Sequence, residues 1–100
     1  MGKFQLTQKA KTDLLSIARY TQKEWSVGQR NLYLKDLDTR FHETSANPLL
    51  GKECSEILEG YRKLPQGKHI IFYKPVSEKE ALIVRVSSRT STVTLPLEAW

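Results

Sequence analysis

Arginine and histidine side chains in the second half of the chain are the residues best suited to bind an anion or to transfer a proton. Arg62 and His69 flank a predicted turn, and Arg85 lies within an apolar run further along. Guanidinium groups bind carboxylates and phosphates, and a histidine beside them can transfer a proton or form a hydrogen bond. We therefore expect Arg62, His69 and Arg85 to converge on one surface patch.

Each of these side chains also has a purely structural interpretation. His69 begins a predicted strand, where a histidine is often a structural hydrogen-bonding group rather than a catalytic one. The alternation of a strand places the Arg85 side chain on the face opposite Val84 and Val86. There it is either solvated or paired with a carboxylate of a partner. The sequence leaves both alternatives open.

Motifs for catalysis, metals or cofactors are missing from the sequence. Cys54 is the single cysteine, so a disulfide is impossible and a cysteine-based metal site is not expected. His42 and His69 stand far apart, without a carboxylate cluster near them. The glycines of the second half are isolated, so there is no phosphate-binding loop. We expect no catalytic residue, no metal and no cofactor.

Composition indicates one globular domain with a basic surface. The chain has 100 residues, of which 39% are hydrophobic and 27% charged, and it has no apolar run long enough to cross a bilayer. No export signal is visible at the N-terminus, which predicts a cytoplasmic protein. The net charge of +5 favours a polyanionic or acidic partner, either nucleic acid or an acidic protein.

Two helices are predicted after a short first strand at residues 3–6. Thr7 is a suitable N-cap for the first helix, and Ser26 begins a capping box with Gln29 that opens the second. Pro48 requires the second helix to end by residue 47. The apolar stripe of the first helix continues to Trp25. The two helices should form a hairpin that packs on a sheet through five residues: Leu14, Ile17, Ala18, Leu37 and Phe41.

Three strands joined by short turns should form an antiparallel meander. They are predicted at residues 57–64, 68–74 and 81–86, with a loop at 49–55 and turns at 64–67 and 75–79. Pro65 is predicted at the second position of the first turn. The segment 61–73 has three basic residues and no acid, so the hairpin is either a basic contact surface or an ordinary hairpin with solvated lysines.

The last segment differs in character from the rest. Six of the eight residues from 87 to 94 are Ser or Thr, and Pro96 excludes a central strand. The tail could form an edge strand from Val93, but we expect most of it to be disordered. We therefore divide the chain into a domain at residues 1–86 and a tail at residues 87–100.

The order of several motifs resembles the ParE-like toxins of the RelE/ParE superfamily, from bacterial type II toxin–antitoxin systems. The resemblance extends from about Leu6 to Arg85. It rests on four groups of residues: Leu6, Thr7, Ala10, Asp13, Leu14 and Ile17; then Trp25, Gln29 and Tyr33; then residues 47–51; and, most specifically, residues 60–73.

This resemblance implies an α+β fold of order β-α-α-β-β-β, with a two-helix hairpin packed on a small antiparallel sheet. It also implies a toxin that inhibits DNA gyrase, acts without enzymatic chemistry and is neutralised by an acidic segment of a ParD-like antitoxin. DNA would be contacted only indirectly, through gyrase or the toxin–antitoxin complex. The residues expected to contact gyrase or the antitoxin are Tyr61, Arg62, Lys63, His69, Tyr73 and Arg85.

The chain departs from the family pattern at its end. Family members usually follow the last strand with Leu and His and then an Asp-containing turn, where this chain has Ser87 and Ser88. We therefore expect a weakened or inactive toxin. Two other hypotheses remain: a ribosome-dependent mRNA endoribonuclease of the RelE type, and a remnant that only binds antitoxin. No His or Tyr follows Tyr73, which argues against the ribonuclease.

Overall fold

Two helices and five strands make up residues 2–54 and 59–88, the part of the chain that this computed structural model describes. In chain order they are β1 (Lys3–Leu6), α1 (Gln8–Glu24), α2 (Val27–Ala46), β2 (Lys52–Glu53), β3 (Arg62–Gln66), β4 (His69–Ser77) and β5 (Glu80–Ser88). None of the helices in these ranges is long and apolar enough to span a membrane.

The five strands form one sheet in the order β1-β5-β4-β3-β2. Strands β2 to β5 pair antiparallel, as the predicted meander requires. Strand β1 instead pairs parallel to β5, with Phe4 beside Ala81. A parallel partner must come from a distant part of the chain, here from its opposite end, so local patterns do not reveal it. The predicted α+β fold is confirmed, with a sheet that is mostly antiparallel.

Both helix N-termini are capped by the predicted residues. The Thr7 hydroxyl accepts a hydrogen bond from the Ala10 amide at 3.0 Å and donates to the Val84 carbonyl at 2.7 Å. The cap of α1 therefore also joins the helix to β5. The Ser26 hydroxyl accepts from the Gln29 amide at 3.0 Å and caps α2. Helix α2 ends at Ala46, as Pro48 predicts.

The helices pack on the sheet through most of the predicted residues. Ile17, Leu37 and Phe41 are buried in the core, and Leu14 packs against it from a partly buried position. Two assignments need correction. Ala18 is half-buried and lines a surface groove. Trp25 lies just beyond the last residue of α1 and is 67% exposed.

The central hairpin turns two residues later than predicted. Gln66 pairs with His69, so the turn consists of Gly67 and Lys68, and Gly67 has a φ of +57°. Two-residue hairpins prefer glycine at this position because their turn requires a positive φ. Pro65 lies inside β3, where it is tolerated because β2 pairs with β3 only at residues 62 and 63.

Several other boundaries differ from prediction. The predicted loop contains β2, and residues 59–60 form a turn at which Gly60 has a φ of +85°. Strand β4 extends through Pro75 to Ser77, and β5 extends to Ser88. Residues 55–58 and 89–100 lie outside the described residues. The prediction of a mostly disordered tail concerns the second of these ranges. The division of the chain at residue 86 stays a prediction.

Candidate partner-binding surfaces

Arg62 is held by the loop between α2 and β3. Its Nη1 donates to the Gly51 carbonyl at 2.7 Å, and its Nη2 lies 3.3 Å from the Glu53 carboxylate. The side chain is 18% exposed. The contact with Gly51 is a charge-assisted hydrogen bond in a half-buried position, which is stronger than one between neutral groups. Arg62 therefore stabilises this loop, and a partner would meet only part of its guanidinium group.

Tyr73 supports the same loop from the core. The side chain is fully buried, its hydroxyl donates to the Pro48 carbonyl at 2.8 Å, and the Gly51 amide donates to it at 2.7 Å. A Cβ atom on Gly51 would lie 2.8 Å from the Tyr73 ring, so the loop needs glycine there. Burial raises the pKa of Tyr73. Tyr73 is therefore a supporting residue and does not lie on a contact surface.

Arg85 is paired within the chain, with Asp13 of α1. Its Nε and Nη2 atoms donate to the two carboxylate oxygens at 2.8 and 2.9 Å, and the Val86 amide donates to the same carboxylate at 3.0 Å. The side chains of Arg85 and Asp13 are only 18% and 15% exposed. The hydrogen bond to Asp13 raises the pKa of Arg85. This internal ion pair replaces both predicted alternatives, solvent and a partner's carboxylate.

His69 takes part in a hydrogen-bond chain with α2. Its Nδ1 lies 2.6 Å from the Tyr33 hydroxyl, which donates to the Gln66 carbonyl at 2.9 Å. These contacts join the start of β4 to α2 and to the end of β3. Burial lowers the pKa of His69, and the charge of Asp13 opposes that shift. The structural interpretation of His69 agrees with this geometry.

The predicted patch of Arg62, His69 and Arg85 does not form. Arg62 faces the loop after α2, whereas Arg85 faces α1. His69 lies at the other end of the hairpin from Arg62, which pairs with Tyr73. The prediction grouped these residues by strand alternation. Strand alternation does not show which carboxylate or carbonyl group of a helix or loop binds each side chain. His69 and Asp13 do line one groove together.

Tyr61 and Lys63, the remaining predicted contact residues, lie at the start of β3 and are half-buried. The Tyr61 carbonyl accepts from the Cys54 amide at 3.0 Å. Lys63 pairs with Lys52 across β2 and β3, which places two like charges side by side. Their proposed partner contacts stay a prediction.

Between α1 and the end of β5 lies a groove of about 670 Å³, which we call the α1–β5 groove. The buried side chains of Ile17 and Val86 form its apolar part, and Tyr20, 62% exposed, stands at its margin. The residues that line it are Asp13, Ser16, Ile17, Tyr20, Lys68, His69, Val86, Ser87 and Ser88.

A second groove of about 570 Å³ runs between the two helices, and we call it the interhelical groove. It is lined by Phe4, Leu6, Lys11, Leu14, Leu15, Ala18, Leu34, Asp38 and Phe41. Leu15 is 59% exposed there. This groove was not predicted from the sequence. An apolar residue next to the apolar stripe of a helix, as Leu15 is next to Leu14, indicates an exposed apolar surface of this kind.

Metal binding has no support in residues 2–54 and 59–88. No group of three His, Cys, Asp or Glu side chains there could hold an ion. Cys54 is buried.

Comparison with known proteins identifies the family. The family model described as the ParE toxin of the type II toxin–antitoxin system parDE matches residues 4–92. The chain belongs to the ParE toxin family. Toxin ParE1 of Mycobacterium tuberculosis is 37% identical over 85 residues, which are 85% of this chain and 87% of that protein. Toxin ParE of Escherichia coli is 30% identical over 86 residues, covering 86% and 84%.

The ParE fold is also found in a solved structure. A chain from the chromosomal ParDE TA system of P. aeruginosa has a TM-score of 0.72 and 19% identity, and the similarity covers 88% of this chain and 96% of that one. The ParE family match extends beyond Arg85, where the resemblance identified in the sequence ends. Ser87 and Ser88 therefore lie within the matched region as well as within β5.

Proposed function

We propose that this ParE-family chain inhibits DNA gyrase in the cytoplasm and is neutralised by a ParD-like antitoxin. Membership of a type II toxin family supports the toxin role, and the name of the P. aeruginosa complex supports a ParD-type partner. The single observation that supports neutralisation by an antitoxin is the interhelical groove, a largely apolar surface between the two helices.

The interhelical groove suits one apolar face of an amphipathic helix. Leu14, Leu15 and Leu34 present aliphatic side chains between two helices, which is the usual arrangement when a helix binds in a groove. The charged residues that line the groove are Lys11 and Asp38, of opposite sign, whereas the net charge of the chain is +5. An amphipathic antitoxin helix with acidic flanks would complement the apolar groove and the positive charge of the chain as a whole.

Substitution of Leu15 tests antitoxin docking. We expect Leu15→Glu to weaken binding of the ParD-like antitoxin about 10- to 100-fold, because it removes a leucine that the antitoxin would cover and places a charge in an apolar contact. Leu32→Glu is the matched control, since Leu32 is also 59% exposed and does not line the groove. Isothermal titration calorimetry measures both. Equal affinities for the two variants would contradict docking in this groove.

Gyrase inhibition is tested by a supercoiling assay with purified gyrase, run beside an mRNA cleavage assay on ribosomes. We expect inhibition of supercoiling and no cleavage of mRNA. The ion pairs of Arg62 and Arg85 support gyrase inhibition over mRNA cleavage. An RNA-cleaving site needs cations directed at the phosphate, and both arginines are held by groups of the chain. Ribosome-dependent cleavage without gyrase inhibition would favour the RelE-type alternative.

A further inference from the structure

We propose that the α1–β5 groove is a second docking surface, separate from the interhelical groove, and that it binds an acidic segment of the gyrase protein. This inference rests on the proposed gyrase inhibition and names the surface and the partner chemistry for it. Three observations carry it: the exposed aromatic side chains, the charge of the groove, and the position of the groove on α1.

An exposed aromatic side chain, Tyr20, lines the α1–β5 groove, and a second, Trp25, lies near Lys68, which also lines it. Tyr20 is 62% exposed and Trp25 is 67% exposed. Trp25 follows the apolar stripe of α1 in sequence, yet it lies outside the core. Large aromatic side chains with a polar group are the commonest energetic centres of protein interfaces. Two of them near one groove therefore indicate a protein partner.

The charges around this groove favour an acidic occupant. Asp13 is neutralised by its ion pair with Arg85. Burial lowers the pKa of His69, which disfavours its positively charged form. The Lys68 ammonium lies 5.9 Å from the centre of the Trp25 ring. A carboxylate of the partner would meet Lys68, while an apolar side chain beside it would contact Ile17 and Val86.

The two grooves lie on opposite sides of α1. Residues 11, 14, 15 and 18 line the interhelical groove, whereas residues 13, 16, 17 and 20 line the α1–β5 groove. At 3.6 residues per turn these two sets are centred roughly half a turn apart around the helix axis. One bound helix cannot occupy both, so substitutions in one groove should leave the other functional.

Binding and inhibition measured on two variants test this proposal. We expect Tyr20→Ala and Lys68→Glu each to weaken binding to purified gyrase about tenfold or more in biolayer interferometry, and to weaken inhibition of supercoiling in proportion. Binding of the ParD-like antitoxin should stay within about twofold of the unchanged chain. Lys35→Glu is the charge-matched control, since Lys35 is exposed on α2 and lines neither groove. Circular dichroism melts confirm that each variant is folded.

The outcomes separate the inference from the function on which it rests. Gyrase binding by the unchanged chain that both variants retain would overturn the groove assignment and leave the proposed function standing. No binding of gyrase by the unchanged chain would overturn both. A fluorescent single-stranded oligonucleotide provides a further test. If it binds the unchanged chain and loses affinity with Tyr20→Ala and Lys68→Glu, the groove binds nucleic acid, and the proposal of an acidic protein segment is overturned.

Discussion

Asp13 holds three N–H groups of β5 with one carboxylate. Two come from the Arg85 guanidinium and one from the Val86 amide, all at 2.8–3.0 Å. The Val86 amide belongs to the part of β5 that lies beyond its pairing with β1. Asp13 therefore satisfies an edge amide of the sheet and fixes α1 against it. This role is structural, and it removes Arg85 from the predicted contact surface.

Removing Asp13 should destabilise the fold strongly. We expect Asp13→Ala to lower the free energy of unfolding by about 2–4 kcal/mol, because it removes the carboxylate that binds a partly buried guanidinium and an edge amide. Asp13→Asn keeps the shape and one acceptor and should cost less. Urea denaturation measures both. A change below about 0.5 kcal/mol for Asp13→Ala, typical of surface substitutions, would mean that solvent replaces the contact easily.

His69 should make stability depend on pH. Burial lowers its pKa below the ordinary value of 6.5, so the unfolded chain binds the proton more readily than the folded chain. The stability that His69 contributes is therefore fully present above about pH 7.5 and falls as the pH decreases through about 6.5 toward the lower folded pKa. The difference in unfolding free energy between the unchanged chain and His69→Gln should shrink over this range. A constant difference would contradict the shift.

Local rules predicted single residues well where the partner is local. Thr7 and Ser26 cap amides three residues away, so their roles follow from the sequence. Arg85 binds an aspartate 72 residues away, and His69 binds a tyrosine 36 residues away. No spacing rule joins such positions, because the fold brings them together. The predicted contact patch failed for that reason.

Helix α2 is fixed to the sheet by its apolar stripe. Phe41 is 3% exposed and packs against the Phe4 ring of β1, with ring centres 5.5 Å apart. This contact joins the second helix to the parallel edge strand. The pairing of α1 with α2 was predictable from two stripes and a capping residue, whereas the contact with β1 depends on the parallel pairing that sequence did not reveal.

Phe41→Ala should cost about 3–5 kcal/mol of unfolding free energy, because it empties a buried aromatic site between α2 and β1. Leu32→Ala on the same helix is the control, since Leu32 is 59% exposed and its loss should cost less than about 0.5 kcal/mol. Chemical denaturation followed by circular dichroism compares the two. An unchanged transition for Phe41→Ala would remove this residue from the core and weaken the two-helix layer.

Strands were predicted in the right order but not in the right register. The bias toward β-branched and aromatic residues located β4 and β5, whereas the position of Pro65 suggested a turn that the chain makes two residues later. Gly67 decides the turn, because it has a positive φ and a Cβ there would lie 2.7 Å from the Tyr33 ring. That contact with α2 is invisible in the strand pattern.

On the scale of the whole molecule, α1 separates two surfaces. The interhelical groove is shared with α2, and the α1–β5 groove is shared with β4 and β5. The family order of motifs predicted the architecture that makes this separation possible. The α1–β5 groove does not follow from the sequence alone, because β4 and β5 are distant from α1 along the chain.

The ending of the chain should weaken gyrase poisoning. Ser87 and Ser88 stand where the family pattern implies Leu and His, and both line the α1–β5 groove. Two small polar side chains offer little apolar surface to a partner. We expect the double substitution Ser87→Leu and Ser88→His, followed by an Asp-containing turn, to increase growth arrest when the toxin is induced without antitoxin. Colony counts and gyrase-dependent DNA breaks measure the change.

The comparison also locates the poisoning surface. If the restored ending strengthens arrest, and Tyr20→Ala in the same chain removes the gain, the added side chains act through the α1–β5 groove. Strong arrest from the unchanged chain that Tyr20→Ala leaves intact, with DNA breaks that require gyrase, would instead place the poisoning surface in the hairpin at residues 61–73. The half-buried Tyr61 and Lys63 would then be the contact residues to substitute next, because Tyr73 is buried and Arg62 is held by Gly51.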